Sequence, residues 1–358
     1  MSMPSDLRPV IRKLVAKTNL SNIEVEETLD AILAGTVADA AIAAFLVALA
    51  MKGESAEEVR SILLTLRKHA TRITPKVNGP LIDTCGTGGD SRRSFNISTA
   101  AAVVACAAGA NVAKHGNRSV SGLCGSADFL EHIGLDLNAA PGKVQCCIEN
   151  IGIGFLFAPS FHPSMKTVAA ARKAIGVRTV FNMVGPLSNP CGNITGQVIG
   201  VFEPSLLEVF AEVSHGYICE AMMVHSHDGF DELSNTCDND ILWAQSDGTT
   251  KKILLDPRTV GMQVAKPETV MVNSKTESIR STLKTIYGKA TREKQDIVTL
   301  NSAAALMISN IASDFKEGIE IAGEAIRSGK AQDKLSQLIK YCGDPEKLIE
   351  AEKELLEA

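Results

Sequence analysis

The sequence predicts an α/β protein, with a small N-terminal α-helical domain and a larger α/β domain whose central, mostly parallel sheet is flanked by helices. Three observations carry this. Capped helical segments fill the first 70 or so residues, short apolar strands then alternate with helical stretches, and the tail at 297–356 returns to helix. A chain of 358 residues suits one large domain or two unequal ones.

Serine followed three residues later by glutamate marks two helix starts, Ser21 with Glu24 and Ser55 with Glu58. Thr36 with Asp39 offers a third start, and Gly35 and Gly53 stand where helix C-caps belong. Leu29, Ile32 and Leu33 share one helical face, as do Val59, Ile62, Leu63 and Leu66. These stripes carry no chemistry and read as core or subunit interface. Residues 74–80, TPKVNGP, form a linker by composition. After it, apolar strands are expected at 81–84, 112–113, 154–158, 198–202 and 221–224. Helices are expected between them at 97–108, 127–133, 165–174 and 206–213. In such sheets the active site lies beyond the strand C-termini.

Hydrophobic residues make up 45% of the chain, enough for a sizeable core. A net charge of −5 with interspersed signs argues against nucleic acid as a partner. The nine cysteines are odd in number and lack a CxxC pair, which points to reduced, small core residues. The longest apolar run, 40–51, is too short and too rich in alanine to span a bilayer, and the N-terminus does not read as a signal peptide. A soluble, cytoplasmic protein without a membrane partner is expected.

Chemistry concentrates in four motifs. The first is DTCGTGGDS at 83–91 followed by SFNIST at 94–99. An apolar strand runs into glycines that let the backbone approach an anion, then into a helix start that offers free N–H groups. Ser91 stands where a dinucleotide-binding fingerprint needs glycine, and the Gly-Lys-Ser/Thr of a P-loop is absent. The loop is therefore a phosphate cradle of another kind. The second motif, KHGNRS at 114–119 with SGLCGS at 121–126, again lies between strand and helix. Lys114 supplies a point charge and Asn117 both donors and acceptors.

The third motif, HSHDGFDELS at 225–234, follows another strand. The adjacent carboxylates of Asp231 and Glu232 suit Mg²⁺, whereas His225 and His227 lack the further nitrogen or sulfur ligand that zinc needs. The fourth joins FAPSFHP at 157–163 to Arg172 and to RTVFNMVGPLSNP at 178–190. Its aromatics, His162 and an arginine suggest a pocket for a planar, acidic second substrate.

Taken together, the four motifs resemble those of the anthranilate phosphoribosyltransferase family, and the resemblance extends over nearly the whole chain, through the tail that begins Asn301-Ser-Ala-Ala-Ala. It implies a helical domain of residues 1–73 with roughly 165–190, forming a homodimer interface, and a substrate-binding α/β domain of 78–164 and 191–358. It further implies transfer of phosphoribose from 5-phosphoribosyl 1-pyrophosphate (PRPP) to anthranilate, with two Mg²⁺ ions per subunit. By motif, Gly86, Gly89, Asp90, Ser94, Asn96, Ile97, Ser98, Thr99, Lys114 and Ser126 would meet PRPP. Ser98, Asp231 and Glu232 would hold Mg²⁺. Gly86, Asn117 and Arg172 would meet anthranilate, with His115 and His162 lining its pocket. The sequence departs from the family pattern at 121–125, which is often richer in serine and lysine, and at Phe161, where tyrosine is common.

The reaction implied is displacement of pyrophosphate at the anomeric carbon by an amine that needs no strong general base, and none is assigned. Two other readings stand beside it. One is a transferase or nucleoside phosphorylase of the same broad fold, and the other is a non-catalytic relative that binds nucleic acid.

Overall fold

The computed structural model describes residues 6–88, 93–119 and 122–356. The chain divides into two compact units, one of Met1–Arg72 with Pro159–Pro190 and one of Ile73–Ala158 with Cys191–Ala358.

In the helical unit the two serine caps form as the sequence suggests. Ser21 and Ser55 each accept the backbone N–H three residues on, and Glu24 and Glu58 reach back to the cap. The third start is different. The helix Asp39–Lys52 is capped by Ala38 without a side-chain bond, while the Thr36 hydroxyl donates to Ala31 O at the end of the preceding helix. A hydroxyl after a helix satisfies one of its orphan carbonyls, and here that use prevails. Glu58 also accepts from Leu20 N at 2.9 Å and pairs with Lys52 at 2.7 Å, both side chains being almost fully buried. Lys52 spends its other bonds on Asn19 and Gly53 O, so the buried pair is well supplied with partners.

The α/β unit is built on one seven-stranded sheet in the order β3-β2-β1-β4-β5-β6-β7. The strands are β1 (Leu81–Gly86), β2 (Asn111–Gly116), β3 (Ile153–Phe157), β4 (Gly196–Gly200), β5 (Glu220–Ser226), β6 (Asn239–Ala244) and β7 (Thr250–Leu255). The first five pair in parallel. They are buried along nearly their whole length, as strands covered on both faces are, and the buried set includes Asp83, Lys114 and His115 beside the apolar residues. β6, which reads NDILWA, and β7 pair antiparallel and lie outside the expected strands. β7 reads TKKILL and is largely exposed.

The order reverses between β1 and β4, the place where α/β sheets open a crevice beyond their strand ends. Behind that edge lies the helix Ile97–Ala107, rich in alanine and small apolar residues, packed against the helix Arg292–Ile308. Small side chains let the two backbones come close, and Ser302 Oγ reaches Ala101 O at 3.4 Å. The sheet core is thus fixed directly beneath the first glycine loop.

Candidate active site

The C-terminal ends of β1 and β4 are glycines in paired register, Gly86 opposite Gly200. Pairing continues one residue further, with Thr87 N donating to Gly200 O at 2.8 Å and Phe202 N to Thr87 Oγ1 at 3.1 Å. Both glycines are required by a third segment, the loop after β5. A Cβ at Gly86 would overlap the Asp231 carboxylate, and one at Gly200 would fall on the Asp231 carbonyl oxygen. Gly88, at φ 66°, then turns its N–H onto Asp231 Oδ2 at 2.7 Å.

Glu232 is held in the same manner, its Oε1 accepting Ser98 N at 3.2 Å in the first turn of the Ile97–Ala107 helix. A carboxylate there meets free N–H groups and the positive end of the helix dipole. Ser98 and Glu232 line a small cavity together with Thr84, Cys85, Ala101, Val198 and Asn301. Burial raises the Cys85 thiol well above its ordinary pKa, with the charges of Asp83, Glu232 and Asp231 adding to the effect and Lys114 opposing it. Cys85 is therefore a neutral wall residue.

Sequence reasoning assigns Asn301 no role at the site. Its Oδ1 accepts Leu233 N at 3.0 Å and its Nδ2 donates to Leu233 O at 2.7 Å, gripping the backbone directly after Glu232. The only local signal is an amide inside an alanine-rich helix, and nothing in the spacing points 68 residues back. Asp83 also has a structural role. It is fully buried, accepts His115 N at 3.1 Å and Gln197 Nε2 at 3.3 Å, and so ties β1 to both neighbours.

Other residues of the first loop are placed by the helix Lys275–Ile286. Asn96 N donates to Thr282 Oγ1 at 3.2 Å and Asn96 Nδ2 to Ser278 Oγ at 3.4 Å, so this amide is engaged in packing rather than capping. Ser94 bridges to Met271. The Ile97 side chain is fully buried and its N–H is turned to Phe95 O at 2.7 Å. Thr99 is buried as well, and its Oγ1 has no hydrogen-bond partner in the protein. Gly89 and Asp90 lie outside the described residues.

The second loop is closed by a residue the motifs do not single out. Asp128 accepts Ser119 N at 3.1 Å and Gly125 N at 2.9 Å, while Arg118 pairs with Glu131 at 2.7 Å and lies over Phe157. Ser126 Oγ donates to Asn117 O at 3.3 Å, and Asn117 Oδ1 accepts Arg118 N at 2.7 Å. Lys114 is buried and donates to Thr84 O at 2.6 Å, which sets its ammonium at the end of β1. His115, beside it, is also buried. Ser121 lies outside the described residues.

The donor set fits Mg²⁺. Two adjacent carboxylates from one loop and the Ser98 hydroxyl share one end of the sheet, all oxygen ligands as a hard cation prefers. A histidine site does not form. His225 Nδ1 donates to Val201 O at 2.8 Å, and His227 turns to Asp240 at 3.0 Å.

Arg172 and His162 belong to the helical unit. Arg172 is half-buried, lies over the Phe181 ring at 5.4 Å, and desolvation lowers its pKa. His162 is buried, and desolvation depresses its pKa to about 4, with the charge of Arg67 adding to the drop and a bond to the Ser188 backbone opposing it. Its imidazole is neutral at ordinary pH. Phe161 is fully buried, so its ring is a core element.

Comparison with known proteins agrees with this architecture. The glycosyl transferase family α/β domain matches residues 78–332, and the helical bundle domain of the same family matches residues 8–70. The chain is 44% identical over 336 residues to anthranilate phosphoribosyltransferase from Acetivibrio thermocellus, spanning 94% of this chain and 96% of that one. It is 42% identical over 338 residues to the enzyme of the same name from Methanosarcina acetivorans, spanning 94% and 90%. Among solved structures, that of anthranilate phosphoribosyltransferase from Thermus thermophilus superposes with a TM-score of 0.85 at 36% identity, over 93% of this chain and 98% of that one. The Saccharomyces cerevisiae enzyme in complex with PRPP and Mg gives 0.84 at 25%, over 94% and 97%. With a glycine-lined loop, a docked acid pair and relatives matching it over 94% of its length, the chain belongs to the anthranilate phosphoribosyltransferase family.

Proposed function

We propose that this chain transfers the phosphoribosyl group of PRPP to the amine of anthranilate. The products are N-(5-phosphoribosyl)anthranilate and pyrophosphate, and the step is the second in tryptophan synthesis from chorismate. The observation that carries this is the docking of Asp231 and Glu232 onto the glycine loop and helix start at the switch point of the sheet. It joins an anion cradle to a cation site, as a pyrophosphate leaving group requires.

The PRPP contacts are Gly86, Gly89, Asp90, Ser94, Asn96, Ile97, Ser98, Thr99, Lys114 and Ser126. The buried, unpartnered Thr99 Oγ1 and the charge of Lys114 at the end of β1 support this set. Mg²⁺ would be held by Ser98, Asp231 and Glu232, two ions per subunit, and when bound it draws negative charge from the departing pyrophosphate. Backbone N–H groups of the loop and helix start add fixed dipoles that need no reorganisation during the reaction. Gly86, Asn117 and Arg172 contact anthranilate, with His115 and His162 around it. The Arg172 guanidinium, half-buried over Phe181, suits a carboxylate. The amine attacks the anomeric carbon with its own lone pair, the C–O bond to pyrophosphate breaks, and the new secondary amine sheds its proton. Positioning of both substrates supplies much of the remaining acceleration.

The protein acts as a homodimer joined through the helical unit, where Val15, Ile23, Met51 and Leu64 are exposed. It works in the cytoplasm, a reading supported by nine free cysteines. No helix among the described residues is long and apolar enough to cross a membrane.

The test is incubation with PRPP, Mg²⁺ and anthranilate, following loss of anthranilate and release of pyrophosphate together. Equal amounts of each are expected. Turnover of a nucleoside with phosphate, and none with anthranilate, would overturn the reading.

A further inference from the structure

Away from the acid pair, the α/β unit carries a second concavity of about 540 Å³, lined by the helix Lys275–Ile286, the 287–291 turn and the first turn of the helix Arg292–Ile308. Four cationic side chains line it, Arg280, Lys284, Lys289 and Lys294, against one carboxylate, Glu277. The Glu277 Oε2 accepts Asn273 N at 2.7 Å, and the charge of Glu277 partly offsets that of Lys294. Among the described residues none of the four cations enters a salt bridge. Arg280 Nε is buried without a hydrogen-bond partner. Lys294 donates to Ser281 Oγ at 2.8 Å and lies over the Phe95 ring at 5.8 Å, and burial lowers its pKa.

Gathering like charges in a half-buried hollow costs free energy, and a buried donor left unbonded costs more. Both costs vanish if an anion occupies the hollow. The cations come from three consecutive segments, so an anion with oxygens on two centres, as in a diphosphate, can meet more of them than a single phosphate can. The hydroxyls of Ser274, Thr276 and Thr291 on the rim can donate to the same oxygens. The opposite side of the Lys275–Ile286 helix holds Asn96 through Ser278 and Thr282, so the hollow is separated from the first glycine loop by one helix. We propose that this hollow is a second anion site, distinct from the acid-pair site, that binds a diphosphate-bearing small molecule.

Inorganic pyrophosphate and adenosine diphosphate present the same group, the first bare and the second on a nucleoside. Calorimetric titration of the full chain with each, in magnesium-free buffer at fixed ionic strength, is compared with the Lys284→Gln/Lys289→Gln variant. The variant is expected to lose one pyrophosphate equivalent per chain, or to bind it at least ~tenfold more weakly. Turnover in the absence of added pyrophosphate should be unchanged. Stronger binding of adenosine diphosphate than of pyrophosphate would assign the site to a nucleotide, and the reverse to the free ion. The outcome turns on a difference of one equivalent, so it does not depend on whether pyrophosphate also occupies the acid-pair site. Equal stoichiometry and affinity in the two proteins, or wild-type binding no tighter than that of sulfate, would overturn it. Arg280→Gln serves as a second variant, and its near-wild-type circular dichroism excludes misfolding as the cause of a loss.

Discussion

In the α/β unit, Asp231 and Glu232 are acidic side chains supplied with N–H donors from Gly88 and Ser98. In the helical unit, His162 and Arg172 are basic groups held by burial, against Ser188 and Phe181. The two arrangements treat charge differently, one surrounding carboxyl groups with donors and the other withdrawing bases from water. Hydrogen bonds to a carboxylate favour its charged form, whereas desolvation of a base favours its neutral form. One region thus gathers N–H donors around two carboxyl groups, and the other partly withdraws two basic side chains from water.

The sharpest way to break this contrast is to remove the charge from the first region. Asp231→Asn with Glu232→Gln should lower Mg²⁺-dependent turnover by ~1000-fold, about 4 kcal/mol in the barrier. A Mg²⁺ titration that superposes on wild type would remove the acid pair from the mechanism.

The second region is tested through pH. The His162 pKa falls from 6.5 to about 4 on folding. Between those values the unfolded chain binds the extra proton and the folded one does not. The stability contribution is therefore complete above pH 6.5 and is lost as pH falls towards 4. His162→Gln should flatten that part of the stability curve by on the order of 3 kcal/mol. Denaturant melts at about pH 7 and about pH 4.5 that differ equally in both proteins would show that His162 is not the group responsible.

Asn301 examines how firmly the acid pair depends on its support. Asn301→Ala leaves Leu233 without two bonds and should cost ~2 kcal/mol of stability. It should also raise the Mg²⁺ concentration for half-maximal rate, which lost packing alone would not do. Asn301→Asp keeps the acceptor for Leu233 N and should recover part of the Mg²⁺ response. The smallest effect is expected at Arg172. Arg172→Ala should raise the anthranilate KM ~tenfold, about 1.4 kcal/mol, with the PRPP KM nearly unchanged. Equal changes in both constants would reject its pairing with the acceptor.

What the sequence discloses follows the same division. The glycine loop and the DE pair are visible because strand, turn and helix start are adjacent in the chain, and each leaves its own residue signature. The grip of Asn301 on Leu233 and the hold of Thr282 on Asn96 span 68 and 186 residues, and no local pattern encodes them. Asp83 is visible as the start of the loop motif, but its work as a cross-strand tie appears only once β2 and β4 flank it. β6 and β7 lie outside the expected strands although each holds a short apolar run, because such a run by itself does not tell strand from helix.

Gly88 carries a consequence for experiment. Its N–H ends on the Asp231 carboxylate rather than in a helix or sheet ladder. The amide proton of that one residue therefore exchanges with solvent only when the acid loop lifts from the sheet end. Its exchange rate in an isotope-labelled sample measures how often the loop undocks, without substrate and without turnover.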